Sequence, residues 1–157
     1  MDDQHWVVGY QCPIGWVHLH ASENALTGLY FRDDRPVGPT GANPILEKAI
    51  AQVEAYFKKE LTRFDVPLEP QGTEFQKKVW QKLADIPFGR TLTYGQLARM
   101  MGDPNKMRAV GSANGKNPIS LILPCHRVIG SNGKLIGYGG GLWRKEWLLQ
   151  HEGALLT

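Results

Sequence analysis

Residues 93–115 read Thr93-Tyr94-Gly95-Gln96-Leu97-Ala98-Arg99-Met100-Met101-Gly102-Asp103-Pro104-Asn105-Lys106-Met107-Arg108-Ala109-Val110-Gly111-Ser112-Ala113-Asn114-Gly115, and their punctuation decides the architecture. Thr93 and Gln96 have the spacing of a capping box, in which hydroxyl and amide each satisfy an orphan N–H at a helix start. Gly102 can stop that helix. Asp103 can then cap, and Pro104 begin, a second helix that runs to Asn114-Gly115. Helix, glycine turn, helix is the spacing of a helix-turn-helix, and equally of an ordinary helical hairpin. From Ala109 to Asn114 the second helix carries almost only small side chains, although glycine inside a helix costs roughly 1 kcal/mol relative to alanine. Small residues let two helices approach; they also let backbone come close to a ligand surface, with Arg108 the long cationic side chain projecting from it.

Toward the N-terminus, Thr73-Glu74-Phe75-Gln76 forms another capping box, and Phe75, Val79 and Leu83 are expected on the inner face of its helix. A polar, proline-containing stretch from Asp65 to Gly72 marks a boundary. Before it the pattern changes from helical to alternating. Trp6 to Tyr10, Trp16 to Ala21 and Ala25 to Phe31 are short, rich in aromatic and β-branched residues, and separated by turn residues, which reads as an antiparallel meander. Asn43 and Pro44 can open a covering helix with Leu46, Ile50, Val53, Phe57 and Leu61 on one face. Beyond the paired helices, a glycine-rich loop, Gly137 to Gly141, precedes a last helix near Trp143 to His151. The expected fold class is therefore α+β. Residues 1–70 form a small three-stranded sheet with a covering helix, and residues 71–157 a helical domain containing the helix-turn-helix.

Charge divides at the same place. Residues 1–70 hold six Lys and Arg against ten Asp and Glu, and residues 71–157 hold twelve against five, within a total of +3. A basic half beside an acidic one is the footprint of a polyanion-binding module, and also what a solvated surface can carry. No apolar run is long enough to span a bilayer, and Met-Asp-Asp-Gln-His at the start has no basic leader character, so a cytoplasmic protein is expected. Two cysteines, Cys12 and Cys125, lie too far apart to suggest a disulfide framework and read as free thiols.

The sharpest chemical signal is Pro124-Cys125-His126-Arg127-Val128, preceded by Asn117-Pro118 and an apolar run from Ile119 to Leu123. A single cysteine is usually a small buried apolar residue. Its company here changes that reading, because only a thiolate attacks and neighbouring His and Arg are groups that favour one. Glu152 is a candidate to orient His126, as the third member of a relay.

These residues, with Tyr138-Gly139-Gly140-Gly141 and Lys145-Glu146-Trp147-Leu148-Leu149 downstream, resemble the O6-alkylguanine-DNA alkyltransferase family over Phe75 to Gly153. The resemblance implies single-turnover DNA repair: an alkyl group moves from O6-alkylguanine, with O4-alkylthymine a further candidate, to Cys125. It implies His126 as base through a bridging water, Glu152 holding His126, and Tyr94 donating to the departing guanine. It makes Asn117 a hinge between the DNA-binding helices and the active-site loop. Val128 through its carbonyl and Gly139 through its N–H would read the guanine edge, with Tyr138 walling the pocket. Arg108 would replace the extruded nucleotide, with Ala109, Gly111 and Ser112 on the helix face against the minor groove. The implied partner is double-stranded DNA, bound by a monomer without cofactor, resident metal or obligatory protein partner.

This chain has Gly139 where some members have Ser, and Ser120 where others have Pro. Some relatives hold an N-terminal structural zinc; Ser22 and Thr27 at matching positions cannot be ligands, which leaves His5, Cys12, His18 and His20 as an alternative set or as ordinary half-buried side chains. Cys12 reads as structural and His151 as a solvated helix-end residue. Three rival readings are a non-catalytic sensor of alkylated DNA, a dimeric helix-turn-helix regulator, and a cysteine hydrolase built on Cys125 and His126.

Overall fold

The computed structural model describes residues 5–38 and 41–154, and the chain forms two compact units that divide after Gln71. In the first, β1 (Trp6–Cys12), β2 (Gly15–Ala21) and β3 (Leu26–Arg32) form an antiparallel meander in the order β1-β2-β3. Leu19 pairs with Leu29 and Val17 with Phe31, and all four are buried. Alternation along each strand sends these apolar residues to one face. Gly9 pairs with His18 on the other face, where a Cβ at Gly9 would sit 2.4 Å from the Pro36 ring. That close approach requires glycine.

Helix α1 (Pro44–Phe57) covers the sheet. The Asn43 side chain accepts from the Leu46 N–H at 3.0 Å, and Pro44 takes the first position, where its missing N–H costs nothing. Its buried residues are Leu46, Ala49, Val53 and Tyr56. The expected stripe through Ile50, Phe57 and Leu61 is thus rotated. Ile50 and Phe57 are only half-buried, and Leu61 lies beyond the helix end. The fully buried Tyr56, stacked edge-on with Phe57, takes the position in the core. An isolated parallel bridge between Leu26 and Leu68 protects the edge of β3, through bonds of 2.8 Å at Pro67 and Glu69.

The second unit is mainly helical. Both capping boxes form: Thr73 with Gln76 starts α2 (Glu74–Leu83), and Thr93 with Gln96 starts α3 (Tyr94–Met100). On α2 the buried set is Val79, Trp80 and Leu83, with Phe75 only half-buried beneath the Lys106 ammonium. Trp80 donates its indole N–H to the Ala113 carbonyl at 2.8 Å, which ties α2 to α4 (Met107–Gly115). Gly102 turns the chain with φ of +93°, where a side chain would be strained. Asp103 then caps a 3₁₀ turn, Pro104–Lys106, and α4 begins only after it. The expected single helix from Pro104 is therefore a 3₁₀ turn joined to an α-helix.

Two short strands frame the chemistry. β4 (Leu92–Thr93) pairs in parallel with β5 (Val128–Ile129), Leu92 opposite Val128. The base of α3 and the exit from the cysteine turn are thereby held together. The last helix, α5 (Leu142–His151), starts after Gly141 and packs against the turn Cys125–Arg127. The fold is α+β, and among the described residues no helix is long and apolar enough to cross a membrane.

Candidate active site

The segment leading into Cys125 is held by one side chain. Asn117, buried, donates from Nδ2 to the Leu123 carbonyl at 2.7 Å and accepts the Ile119 N–H at 2.9 Å. Between these bonds Leu121 adopts a φ of +74°, an uncommon conformation for a branched side chain that a braced loop can hold. Cys125 follows at the start of the 3₁₀ turn Cys125–Arg127, with its N–H on the Leu123 carbonyl at 2.7 Å. On α4, Asn114 reaches the Cys125 carbonyl at 3.4 Å. Recognition-type helix and cysteine turn therefore share their supports.

Behind the cysteine lies a fully buried polar cluster. His126 Nε2 meets Glu152 Oε2 at 2.8 Å. Arg127 grips the same carboxylate with both arms, Nε to Oε1 at 2.8 Å and Nη2 to Oε2 at 2.9 Å, and donates from Nη1 to the Ile86 carbonyl. The Gly89 N–H also reaches Glu152 at 3.3 Å. Burial alone would raise the Glu152 carboxyl, but bonds from His126 and Arg127 outweigh it and hold the group far below the usual carboxylate range. Burial lowers the His126 pKa despite its carboxylate partner, so a neutral ring is favoured. With a carboxylate on Nε2, that nitrogen carries the proton. Nδ1 is then a basic lone pair, buried and without a hydrogen-bond partner among the described residues.

Only 5% of Cys125 is exposed, and burial pushes its thiol up, opposed by hydrogen bonds from Asn117 and Ser120 and by the charge of Lys145. The expectation that adjacent Arg127 activates the thiol is corrected here: its guanidinium is committed to Glu152. The cation acting on sulfur is Lys145, fully buried on α5, donating to the Val128 carbonyl at 2.7 Å and the Ile136 carbonyl at 2.9 Å. Burial lowers the Lys145 pKa to about 8. Sequence reasoning quoted Lys145 without a role. The helical position of a lysine says nothing of its burial, although its place on the α5 face shared with Leu148 and Leu149 was a usable signal.

Tyr94, at the start of α3, donates its hydroxyl to the same Ile136 carbonyl at 3.1 Å, and burial raises its pKa. Tyr138 is raised further, again by burial, and its buried hydroxyl has no hydrogen-bond partner among the described residues. Both phenols therefore stay protonated at neutral pH. Gly139 is exposed, with no atom within 4 Å of where a Cβ would project. The structure thus brings Cys125, His126, Glu152, Asn117, Tyr94, Tyr138 and Val128 into one neighbourhood.

On α4 the exposed face carries Arg108, Ala109 and Ser112, while Val110, Ala113 and Asn114 point inward. Gly111 is half-buried, 3.7 Å from the Tyr94 ring if a Cβ is placed on it, an ordinary contact. A methyl group there would be accommodated, so the packing of α4 on Tyr94 does not itself require glycine. Met107, just before Arg108, is 48% exposed.

In the first unit, His5 stacks on His20 with nitrogens 3.0 Å apart, and His18 bonds the Asp34 carbonyl. Cys12 lies at the far end of β1. Among the described residues, no three His, Cys, Asp or Glu side chains are grouped to hold a metal ion.

Two family models cover nearly the whole chain: "6-O-methylguanine DNA methyltransferase, ribonuclease-like domain" over residues 9–70, and the DNA binding domain of the same family over residues 74–154. A methylated-DNA–protein-cysteine methyltransferase of Methanosarcina acetivorans is 47% identical over 150 residues, 92% of this chain and 96% of that one. This chain belongs to the 6-O-methylguanine DNA methyltransferase family. The crystal structure of the Mycobacterium tuberculosis O6-methylguanine methyltransferase superposes with a TM-score of 0.87 at 42% identity, covering 98% of this chain and 96% of that one. A second structure of the M. tuberculosis protein, in complex with DNA, gives 0.85 at 46% identity, covering 93% and 91%. As a member of this methyltransferase family the protein is a DNA-binding enzyme that repairs DNA by transferring alkyl groups.

Proposed function

We propose that the protein removes the alkyl group from O6-alkylguanine in duplex DNA and keeps it on Cys125 as a thioether, once per molecule. The observation that carries this reading is a buried cysteine next in the chain to a buried, carboxylate-oriented imidazole and within electrostatic reach of a buried ammonium. The thiol proton leaves toward His126 Nδ1 by way of solvent, and the sulfur then attacks the alkyl carbon in line with the C–O6 bond. That bond breaks, its electron pair passes to the purine, and Tyr94 gives the leaving guanine a proton, which it regains through solvent from the His126 imidazolium. Proton transfer matters because neutral guanine leaves far more easily than its anion. Tyr94 must first release the Ile136 carbonyl.

Each remaining residue has a task in this reading. Asn117 and Asn114 keep the cysteine turn in register with α4. Lys145 favours the thiolate and, by holding the Val128 carbonyl, aims its second lone pair at the guanine edge. Gly139 offers its open N–H to the base, while Tyr138 closes the pocket. Arg108 fills the gap left by the flipped nucleotide, with Ala109, Gly111 and Ser112 letting the α4 backbone approach the minor groove. The protein acts as a monomer without cofactor. Intact-mass measurement after mixing with DNA carrying O6-methylguanine tests the whole scheme. One added methyl on the Cys125 peptide, with product stopping at one per protein, is the expected result. Continued turnover, or label on Cys12, overturns it.

A further inference from the structure

We infer that Arg144 is a positioning residue for the reaction: by gripping the Gly140 carbonyl and packing on the Trp143 ring, its guanidinium holds in place the loop that carries Tyr138 and Gly139. The inference rests on the reading that sets those two residues at the guanine. The loop has few side chains to fix it. Gly137 and Gly141 have φ of +54° and +98°, and Gly139, Gly140 and Gly141 follow one another. Glycine loses more conformational freedom on folding than any other residue, so such a loop keeps one shape only when groups outside it hold its backbone. Within the loop the Gly141 N–H closes on the Tyr138 carbonyl at 2.9 Å. At its entrance the Ile136 carbonyl accepts from Tyr94 at 3.1 Å and from Lys145 at 2.9 Å. At its exit Arg144 Nη1 donates to the Gly140 carbonyl, also at 2.9 Å.

Arg144 stands in the first turn of α5 and is 5% exposed. A cation there works against the helix macrodipole, so helix formation does not account for its place. The side chain curls back over the loop. Its guanidinium carbon lies 4.5 Å from the centre of the Trp143 ring, within cation–π range. That ring lies against the loop backbone in turn: a Cβ at Gly141 would sit 3.2 Å from its Cδ1 and Nε1. Trp143 is 54% exposed, so core packing does not account for the stack either. A planar guanidinium donates in its plane while its face rests on an aromatic ring, which an ammonium cannot reproduce. The anchor matters most during the chemistry. When Tyr94 leaves the Ile136 carbonyl to protonate guanine, the entrance keeps only its bond from Lys145, and Arg144 holds the exit with the Gly139 N–H in place.

Arg144→Met keeps the length of the side chain and removes its charge and donors. Methyl transfer is followed as a single turnover, on duplex carrying O6-methylguanine at saturating protein and on the free O6-methylguanine base. Both rates should fall about tenfold or more, since misplacing a positioning group by an ångström can cost on the order of a hundredfold. Affinity for undamaged duplex, and the rate at which iodoacetamide alkylates Cys125, should stay within about twofold of native, because phosphate contacts and the surroundings of the thiol are untouched. Arg144→Lys keeps a charge and a donor but loses the flat stack, and its transfer rate should fall between those of Met and native. Trp143→Leu, at an exposed position, removes the stack alone and should slow transfer by a smaller factor. Hydrogen exchange read by mass should show the Gly141 amide opening faster in Arg144→Met, with the Cys125–Arg127 peptide unchanged. A native transfer rate in Arg144→Met overturns the inference, as does an Arg144→Lys no faster than Met. A parallel loss of iodoacetamide reactivity overturns it too, because that marks general damage to the site. Where Arg144→Met does not fold, native transfer and native exchange in Trp143→Leu overturn it. Failure of the native protein to label Cys125 from O6-methylguanine DNA would instead overturn the reading beneath it.

Discussion

Two groups of histidines show how the same side chain becomes reactive or inert. On the sheet of the first unit, His5, His18 and His20 lie at or near the surface, where they stack, touch a backbone carbonyl and meet solvent. His20 is lowered by partial burial and then by its neighbours His5, His18 and Arg32, all basic, with no carboxylate to orient it. In the second unit one histidine, His126, is wholly buried against Glu152, whose other oxygen is fixed by Arg127. Orientation and dryness, more than the number of histidines, distinguish a base from a surface ring.

The largest effect expected is at the sulfur itself. Cys125→Ala should abolish transfer while leaving duplex binding intact, because phosphate contacts supply most of the non-specific affinity. A gel-shift titration beside a transfer assay checks both halves, and residual transfer would show that the nucleophile lies elsewhere. Next comes the carboxylate. Glu152→Ala strands Arg127 as a buried charge, and such a loss costs about 3–5 kcal/mol. Denaturant melts should show it, and a loss below 1 kcal/mol would place the cluster in the same class as the surface histidines.

Arg108→Ala should separate base extrusion from chemistry. Transfer on duplex DNA should slow about tenfold or more, while free O6-methylguanine base reacts almost normally, since only the duplex needs unstacking at a few kcal/mol. Equal losses on both substrates would move Arg108 into the chemistry or the fold. The smallest effect is expected from His20→Ala, within about 0.5 kcal/mol of the native stability and without change in transfer rate.

Acid sharpens the same contrast. The His126 pKa is held below the ordinary 6.5, so below that pH the unfolded chain takes up a proton that the folded one refuses, and stability falls as pH drops. Glu152 adds to this below its ordinary 4.5, where the unfolded carboxyl protonates first and the bonds to His126 and Arg127 are progressively lost. Melting the native protein against pH should show loss beginning near 6.5. In Glu152→Gln the steeper part below about 4.5 should flatten; an unchanged slope there would remove Glu152 as its source.

Features governed by neighbouring residues were legible in the chain itself. Both capping boxes, the Asn43 cap and the three strands depend on residues a few positions apart, and all appear. Features set by distant partners were not. Nothing local indicates that Leu92 pairs with Val128, that Tyr56 displaces Phe57 from the core, or that Arg127 turns toward Glu152. At the site, the motif around Cys125 was visible because its residues are contiguous. Lys145 was not readable as its neighbour, because what matters is where α5 brings it.

The bond from Trp80 to the Ala113 carbonyl gives the protein an optical gauge. Of the five tryptophans, Trp80 is 2% exposed while Trp143 is 54% exposed, so its emission should lie to the blue and resist quenching by iodide. Its indole N–H reads the α4 backbone directly. A spectrum that stays blue on DNA binding reports a recognition helix that docks as a rigid rod. A red shift with new quenching reports one that lifts from α2 as it engages the groove, and either can be followed in a stopped-flow cuvette without attaching a dye.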